Sequence, residues 1–496
     1  GGNLTLINCD FTYNESDDGG ALYVEDQDKV TITNCLFNDN DAFDDYGGGI
    51  YCYDISDDLS ISSSTITNNV SDNRGGGIYI YNASCTITDT EITDNSAEED
   101  GGGLYFSAGL GGDSYLYMYN SNISGNYVEE ENGGGIYLEY ISDIVISGCT
   151  INDNETADEG GGIYCELVFN DFSISNTTIN NNTSLFDCGG GIYIYDASCT
   201  ITQSEINNND ADEMAGGIYF GDGVVPASEI DLYVLNSNIN GNTAENSAGG
   251  IAMDGGNYCS ITGTSVSSNT LSGFGGDSGG GINFTYYFSG SADISNSNIN
   301  NNWAAYTKGG GVHIYSAQVG MNNVNVNGNF SGEAGGGIYN NEGDLTMSNC
   351  NINNNTDNNS EGTIGGGGIF IDDDASCILN SCQVKSNQSS GNGGGLHIYQ
   401  TDNFDGNNTT VYNNHADNYG GGIYVEDLSI DLCNLTLGKN TADNSGNEIY
   451  IENTTANFQC DYIGILNDDM TITEFDSLRG GSDLYCYTQG SGRLVG

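Results

Sequence analysis

Apolar and polar residues alternate along this chain in runs too short for helices, as in Ile78, Tyr79, Ile80 and Tyr81, with Ile87 and Ile92 heading further short runs. A period of two sends successive side chains to opposite faces of a strand and cannot be sustained as one face of a helix. The runs recur. Two or three Gly followed by an aliphatic residue appear at Leu22, Ile50, Ile78, Leu104, Ile136, Ile163, Ile192, Ile218, Ile251, Ile282, Val312, Ile338, Ile369, Leu396 and Ile423, with a degraded copy at Ile449. The average step is about 28 residues, the spacing of a solenoid repeat.

A second marker lies between each pair: an aliphatic or Phe residue three positions before Asn14, Asn40, Asn69, Asn95, Asn126, Asn154, Asn182, Asn209, Asn242, Asn269, Asn302, Asn329, Asn355, Asn387, Asn414 and Asn440. Positions three and eight before the Asn are apolar and position five is small, as in Ile87, Thr90, Ile92 and Asn95. These are inward columns. Strands are predicted at about Ile78 to Ile80, Thr86 to Ile87 and Glu91 to Asn95, giving three sides per coil. One coil cannot bury its apolar face alone, so neighbours must stack, and the usual crossover hand makes the stack right-handed. The predicted fold is all-β: a single right-handed parallel β-helix (β-solenoid) of about sixteen coils over residues 1–456, with 457–496 an irregular C-terminal cap or docking segment. At about 4.8 Å per coil such a rod is roughly 75 to 80 Å long.

The paired markers resemble the repeat of the polymorphic outer membrane proteins, Phe-x-x-Asn with Gly-Gly-Ala-(Ile/Leu/Val). Phe11 to Asn14, Phe37 to Asn40 and Gly19-Gly20-Ala21-Leu22 follow it literally, and later coils put Ile or Val for Phe and Gly for Ala. The resemblance runs from residue 1 to about 451 and implies a surface-displayed, adhesin-like autotransporter passenger. It specifies fold strongly and function weakly.

Charge narrows the partners. The formal net charge is -62, from 69 acidic residues against seven Lys and Arg. Such a field disfavours nucleic acid, anionic lipid and polyuronates, and attracts divalent cations and cationic surfaces. The chain has no charged-then-apolar leader and no apolar run near the length of a membrane span, and it reads as a processed or excised segment. Fifteen Cys suggest an oxidising compartment. Cys9, Cys35, Cys149, Cys350 and Cys382 share the small inward column, and Cys85, Cys199, Cys259 and Cys377 share another. Cys9 with Cys35 and Cys460 with Cys486 are the pairs expected to bridge, and Cys188 falls in a loop, where it would be reactive or paired.

Most repeated residues read as architecture. The Asn column is expected to be a buried amide ladder, not a site. A second Asn set six positions earlier, including Asn8, Asn34, Asn120, Asn176, Asn236, Asn296, Asn323, Asn349, Asn408 and Asn434, marks left-handed corners. The Tyr after each Gly marker, from Tyr23 and Tyr51 to Tyr424 and Tyr450, with His313 and His397 in the same column, is expected to point outward and stack. That strip would serve as a self-stacked ladder, an assembly contact or a sugar-binding surface. Acidic turns such as Glu98, Glu99, Asp100, Glu129, Glu130 and Glu131 match no EF-hand, so no cofactor is expected beyond weak Ca²⁺ binding there. Glycosylation sequons include Asn82, Asn122, Asn176, Asn283 and Asn453; those at corners or loops, such as Asn82, are expected to be accessible, whereas ladder sequons such as Asn69 are not.

No catalytic residue or metal site emerges. Acid/base hydrolysis needs only carboxylates, but lyase chemistry needs a clustered cation, and Lys29, Arg74, Lys308, Lys385, Lys439, Arg479 and Arg493 are scattered. Three coils are lengthened, at Gly109 to Ser114, Gly221 to Glu229 and Tyr286 to Ala292. Their apolar residues Val224, Val225, Tyr286, Tyr287 and Phe288 are the candidate contact loops. The sequence therefore points to a non-enzymatic extracellular or cell-surface rod, foremost a head-to-tail filament subunit partnered by itself. An adhesin stalk binding a protein or glycan is the alternative, and a polysaccharide-acting enzyme the remote one.

Overall fold

The computed structural model of the chain describes residues 1–109, 114–223, 230–274, 278–359, 362, 364–401, 403–426 and 434–452, with strands at Ile463–Ile465 and Cys486–Thr488. Among these residues every regular element is a β-strand. The chain is an all-β parallel solenoid of about 15 turns, each of ~28 residues. It forms two compact units, Gly1–Ala244 and Glu245–Gly496.

In the first unit one turn runs through Ile78–Thr88, Glu91–Thr93 and Ser96–Ala97. The two segments predicted separately near Ile78 and Thr86 merge here into one strand, with a register irregularity between Ala83 and Cys85. In the next turn they separate as Leu104–Ser107 and Tyr115–Tyr119. Every strand pairs in parallel with its equivalent one coil away: Ile78 with Ile50 and Leu104, Ile92 with Ile66 and Ile123, Ala97 with Val128. The second unit repeats this, with Ile338 paired to Val312 and Ile369. Of the predicted C-terminal segment, Ile463–Ile465 and Cys486–Thr488 are described, and both extend the sheet that contains Leu435–Gly438.

The core is the stack of inward columns. Ile66, Ile92, Ile123, Ile151 and Ile179 are all fully buried, and each such side chain contributes about 1.5–3 kcal/mol of burial. The Gly markers follow from close approach. A Cβ on Gly77 would lie 2.6 Å from the carbonyl oxygen of Gly103, and Gly75 holds a φ of +71° at the turn. The second Asn set does occupy left-handed corners, with φ between 49° at Asn176 and 60° at Asn434. A further left-handed corner directly precedes each ladder Asn, as at Asp39, Asn68, Asp94 and Asn181, and sequence reasoning missed it because Asp, Asn, Ser and Gly share the position with Tyr13 and Lys439.

Candidate contact surface

The ladder asparagines are interior structural groups. The amide Oδ1 of Asn126 accepts from the backbone N–H of Asn95 at 3.1 Å and from its Nδ2 at 3.0 Å. Its own Nδ2 donates to Asn154 Oδ1 at 2.9 Å and to the carbonyl of Ile92 at 3.0 Å. Both amide protons and both acceptor directions are used, a pattern that Asp or Gln cannot reproduce. The same bonds recur in the second unit at Asn329, Asn355 and Asn387.

Beside it runs a ladder that the sequence showed only as small residues. Ser204 Oγ donates to the carbonyl of Thr202 and accepts the backbone N–H of Thr177. Cys149 takes this place with its thiol against the carbonyl of Ser147, and Cys350 and Cys382 do the same. Cys9 and Cys35 stack here as free thiols, the Cys9 N–H donating to Cys35 Sγ at 3.5 Å, so their expected disulfide is corrected: Cys replaces Ser isosterically in a hydrogen-bonded column. Cys460 lies outside the described residues, as does the side chain of Cys486. Cys188 does lie in a turn but is buried, and burial raises its thiol pKa.

The Tyr column is also corrected. Its rings do stack, Tyr79 on Tyr105 at 4.9 Å and Tyr137 on Tyr164 at 4.7 Å, yet Tyr105 is only 2% exposed and Tyr339 only 1%. At three Gly markers the preceding residue folds over them: Tyr46 stacks on Tyr79 at 4.6 Å, Arg74 sits over Tyr105 at 5.5 Å and Lys308 over Tyr339 at 4.6 Å. Hydroxyls are tied to carboxylates, Tyr105 to Glu139 at 2.9 Å and Tyr164 to Glu166 at 3.0 Å. His397 is buried against Phe370 and Tyr424, and desolvation lowers its pKa to about 3. This column offers no open aromatic strip.

Of the contact loops, Tyr286 and Tyr287 are 66% and 71% exposed, whereas Phe288 is fully buried against Phe284 and anchors the loop. Val224 and Val225 lie outside the described residues. The larger exposed aromatic surface went unread in the sequence. In the second unit Trp303 stacks on Phe330 at 3.8 Å, and Phe274 stacks on Tyr306 at 4.1 Å. Trp303 and Phe330 each directly follow a ladder Asn, which places them outward on the strands Trp303–Ala304 and Phe330–Ser331; that offset was the available signal.

Among the acidic turns, Asp100 is buried and ion-paired to Arg74 at 3.0 Å, and Arg74 also meets Glu99 at 3.0 Å. Burial lifts Asp100 to about 7, against the lowering effect of Arg74, and burial with neighbouring Asp187 and Asp158 lifts Glu159 to about 7. Among the described residues three clusters have donor atoms close enough to share a cation: Glu99, Asp100 and Glu131; Asp187, Cys188 and Glu213; His415, Asp417 and Asp443. Both ring nitrogens of His415 are engaged, Nδ1 with Thr441 Oγ1 at 2.9 Å and Nε2 with Asp417 at 3.2 Å. Of the sequons, Asn82 and Asn176 are exposed and Asn122 is partly exposed. Asn283 is corrected: it is 2% exposed, donates to Ser247 Oγ at 2.7 Å and bonds His313 Nδ1 through its Oδ1 at 2.8 Å. Asn453 is outside the described residues. A depression of about 450 Å³ in the second unit has one carboxylate in its lining, Asp293, which lies 2.7 Å from where a Cβ on Gly320 would stand and accepts from Tyr258 at 2.9 Å.

Fold and surface define a β-helix repeat protein. A family model described as a right handed beta helix region matches residues 1–71 and 49–225, and one for the Chlamydia polymorphic membrane protein repeat matches residues 408–426. The latter falls on a coil with Val411, Asn414 and Gly420 to Ile423, not on the early copies nearest the family pattern. No curated protein matches the chain. The chain is thus a right-handed β-helix repeat protein resembling polymorphic membrane protein and autotransporter passengers. No helix among the described residues is long and apolar enough to cross a membrane.

Proposed function

We propose that the chain is the displayed, non-catalytic β-helix of an extracellular or cell-surface adhesin whose partner is a protein or glycan. The observation that carries this reading is the likeness of residues 408–426 to a repeat of surface-displayed membrane proteins, on a coil whose repeated residues serve the interior. A head-to-tail filament has no observation of its own. Weak divalent-cation binding at the acidic turns accompanies this reading, and the exposed Asn82 and Asn176 are its candidate glycan carriers. Beads coated with the full chain are expected to attach to host-cell or matrix surfaces above beads coated with an equally acidic control protein. Equal attachment, or fibres in electron micrographs of the purified chain, would overturn it.

A further inference from the structure

We propose that the aromatic patch of Phe274, Trp303, Tyr306 and Phe330 docks a Lys/Arg-rich segment of a partner protein, an inference that rests on the adhesin reading and supplies its recognition chemistry. Phe274 is 82% exposed, Tyr306 50% and Trp303 46%. The rings come from three successive coils, with Thr270, Trp303 and Phe330 in register along the sheet. Behind Trp303, Leu271 and Ala304 are fully buried, so that ring is mounted on a packed core. Tyr306 lies three residues after Trp303, at most about 10 Å along the chain, a spacing that alternate side chains of an extended peptide can bridge.

The occupant follows from charge and from the molecule's own habit. Aromatic faces attract cations through the ring quadrupole, Trp most strongly. Arg74 lies over Tyr105, Lys308 over Tyr339 and Lys439 over Tyr412, so three of the chain's seven basic side chains already sit on rings. The chain has few cations left to supply, and at a net charge of -62 it draws positive partners in and repels polyanions such as nucleic acid.

Trp303 is the sole Trp of the chain, so its fluorescence reports from the patch itself. The full chain is titrated with a synthetic peptide alternating Arg and Gly, and separately with an uncharged citrulline version and a neutral chito-oligosaccharide. The charged peptide is expected to change Trp303 emission saturably. The Phe274→Ala/Tyr306→Ala double variant should weaken binding about tenfold, the scale of lost interface anchors, while Glu129→Gln/Glu130→Gln in the first unit should weaken it by no more than about twofold, as distant surface charges do. Thermal melts check that both variants fold. Equal binding by the aromatic variant, no Trp303 response, or a saturable response to the oligosaccharide alone would overturn the proposal. In the bead assay, attachment retained by the aromatic variant sinks the patch and leaves the adhesin reading standing, whereas failure of the parent chain sinks that reading.

Discussion

A ladder Asn uses its whole amide, and that makes single-residue substitutions sharp tests. In Asn126→Asp both Nδ2 donations, to Asn154 and Ile92, become oxygen facing oxygen, while the acceptances from Asn95 survive. The variant is expected to lose about 3–5 kcal/mol in denaturant unfolding at neutral pH, and less at acid pH where the carboxyl regains a proton. Asp100 and Glu159 carry a linkage of the same sign in the parent chain. Their folded pKa values are raised to about 7, so the folded state binds protons more tightly than the unfolded chain. Their stabilising contribution is therefore present at the ordinary carboxylate pKa, about 4, and is lost as pH rises to about 7. Thermal melts across that range should show a falling midpoint, and Asp100→Asn/Glu159→Gln should flatten the slope. Identity at these positions was legible in the sequence; burial of Asp100 was not, because it lies in a turn that otherwise reads as solvated acid.

At the scale of columns and strands, alternation was readable and environment was not. Cys149 and Cys199 fall in two inward columns of the sequence, but only the structure shows their environments: Cys149 stands in the hydroxyl ladder, its backbone N–H donating to Thr177 Oγ1, while Cys199 stands among apolar side chains beside Phe172 and Leu232. Cys149→Ser is expected to change stability by less than about 1 kcal/mol, because Ser makes the same two bonds. Cys199→Ser should cost about 1–3 kcal/mol for a buried hydroxyl. Equal losses in the two variants, read by urea denaturation, would refute the distinction. The Tyr column followed the same logic. Alternation correctly set Tyr79 opposite Ile78 and Ile80, but it did not show that Tyr46, Arg74 and Lys308 fold over Tyr79, Tyr105 and Tyr339.

For the whole molecule, charge is the dominant global property. Sixty-nine acids with seven bases repel one another in the compact state, and screening at higher ionic strength relieves that repulsion. The melting midpoint is expected to rise by several degrees between about 10 mM and 500 mM NaCl, and a flat response would mean that the acidic turns are already neutralised by protons or bound cations. Mg²⁺ or Ca²⁺ at equal ionic strength should raise it further if the clusters at Glu131 and Glu213 bind cations. The surface that meets a partner also belongs to this scale, since Phe274 and Tyr306 reach one another only because their coils stack.

Period two, the Gly marker and the Asn column determined the coil, its register and its interior from sequence alone, because each depends on contacts repeated at a constant step. The free thiols of Cys9 and Cys35, the covered tyrosines, the buried Phe288 and Asn283, and the open aromatic pairs were decided only in the tertiary structure. Each depends on how one turn lies over its neighbour, and turns are where coils of the same period differ in length and residue.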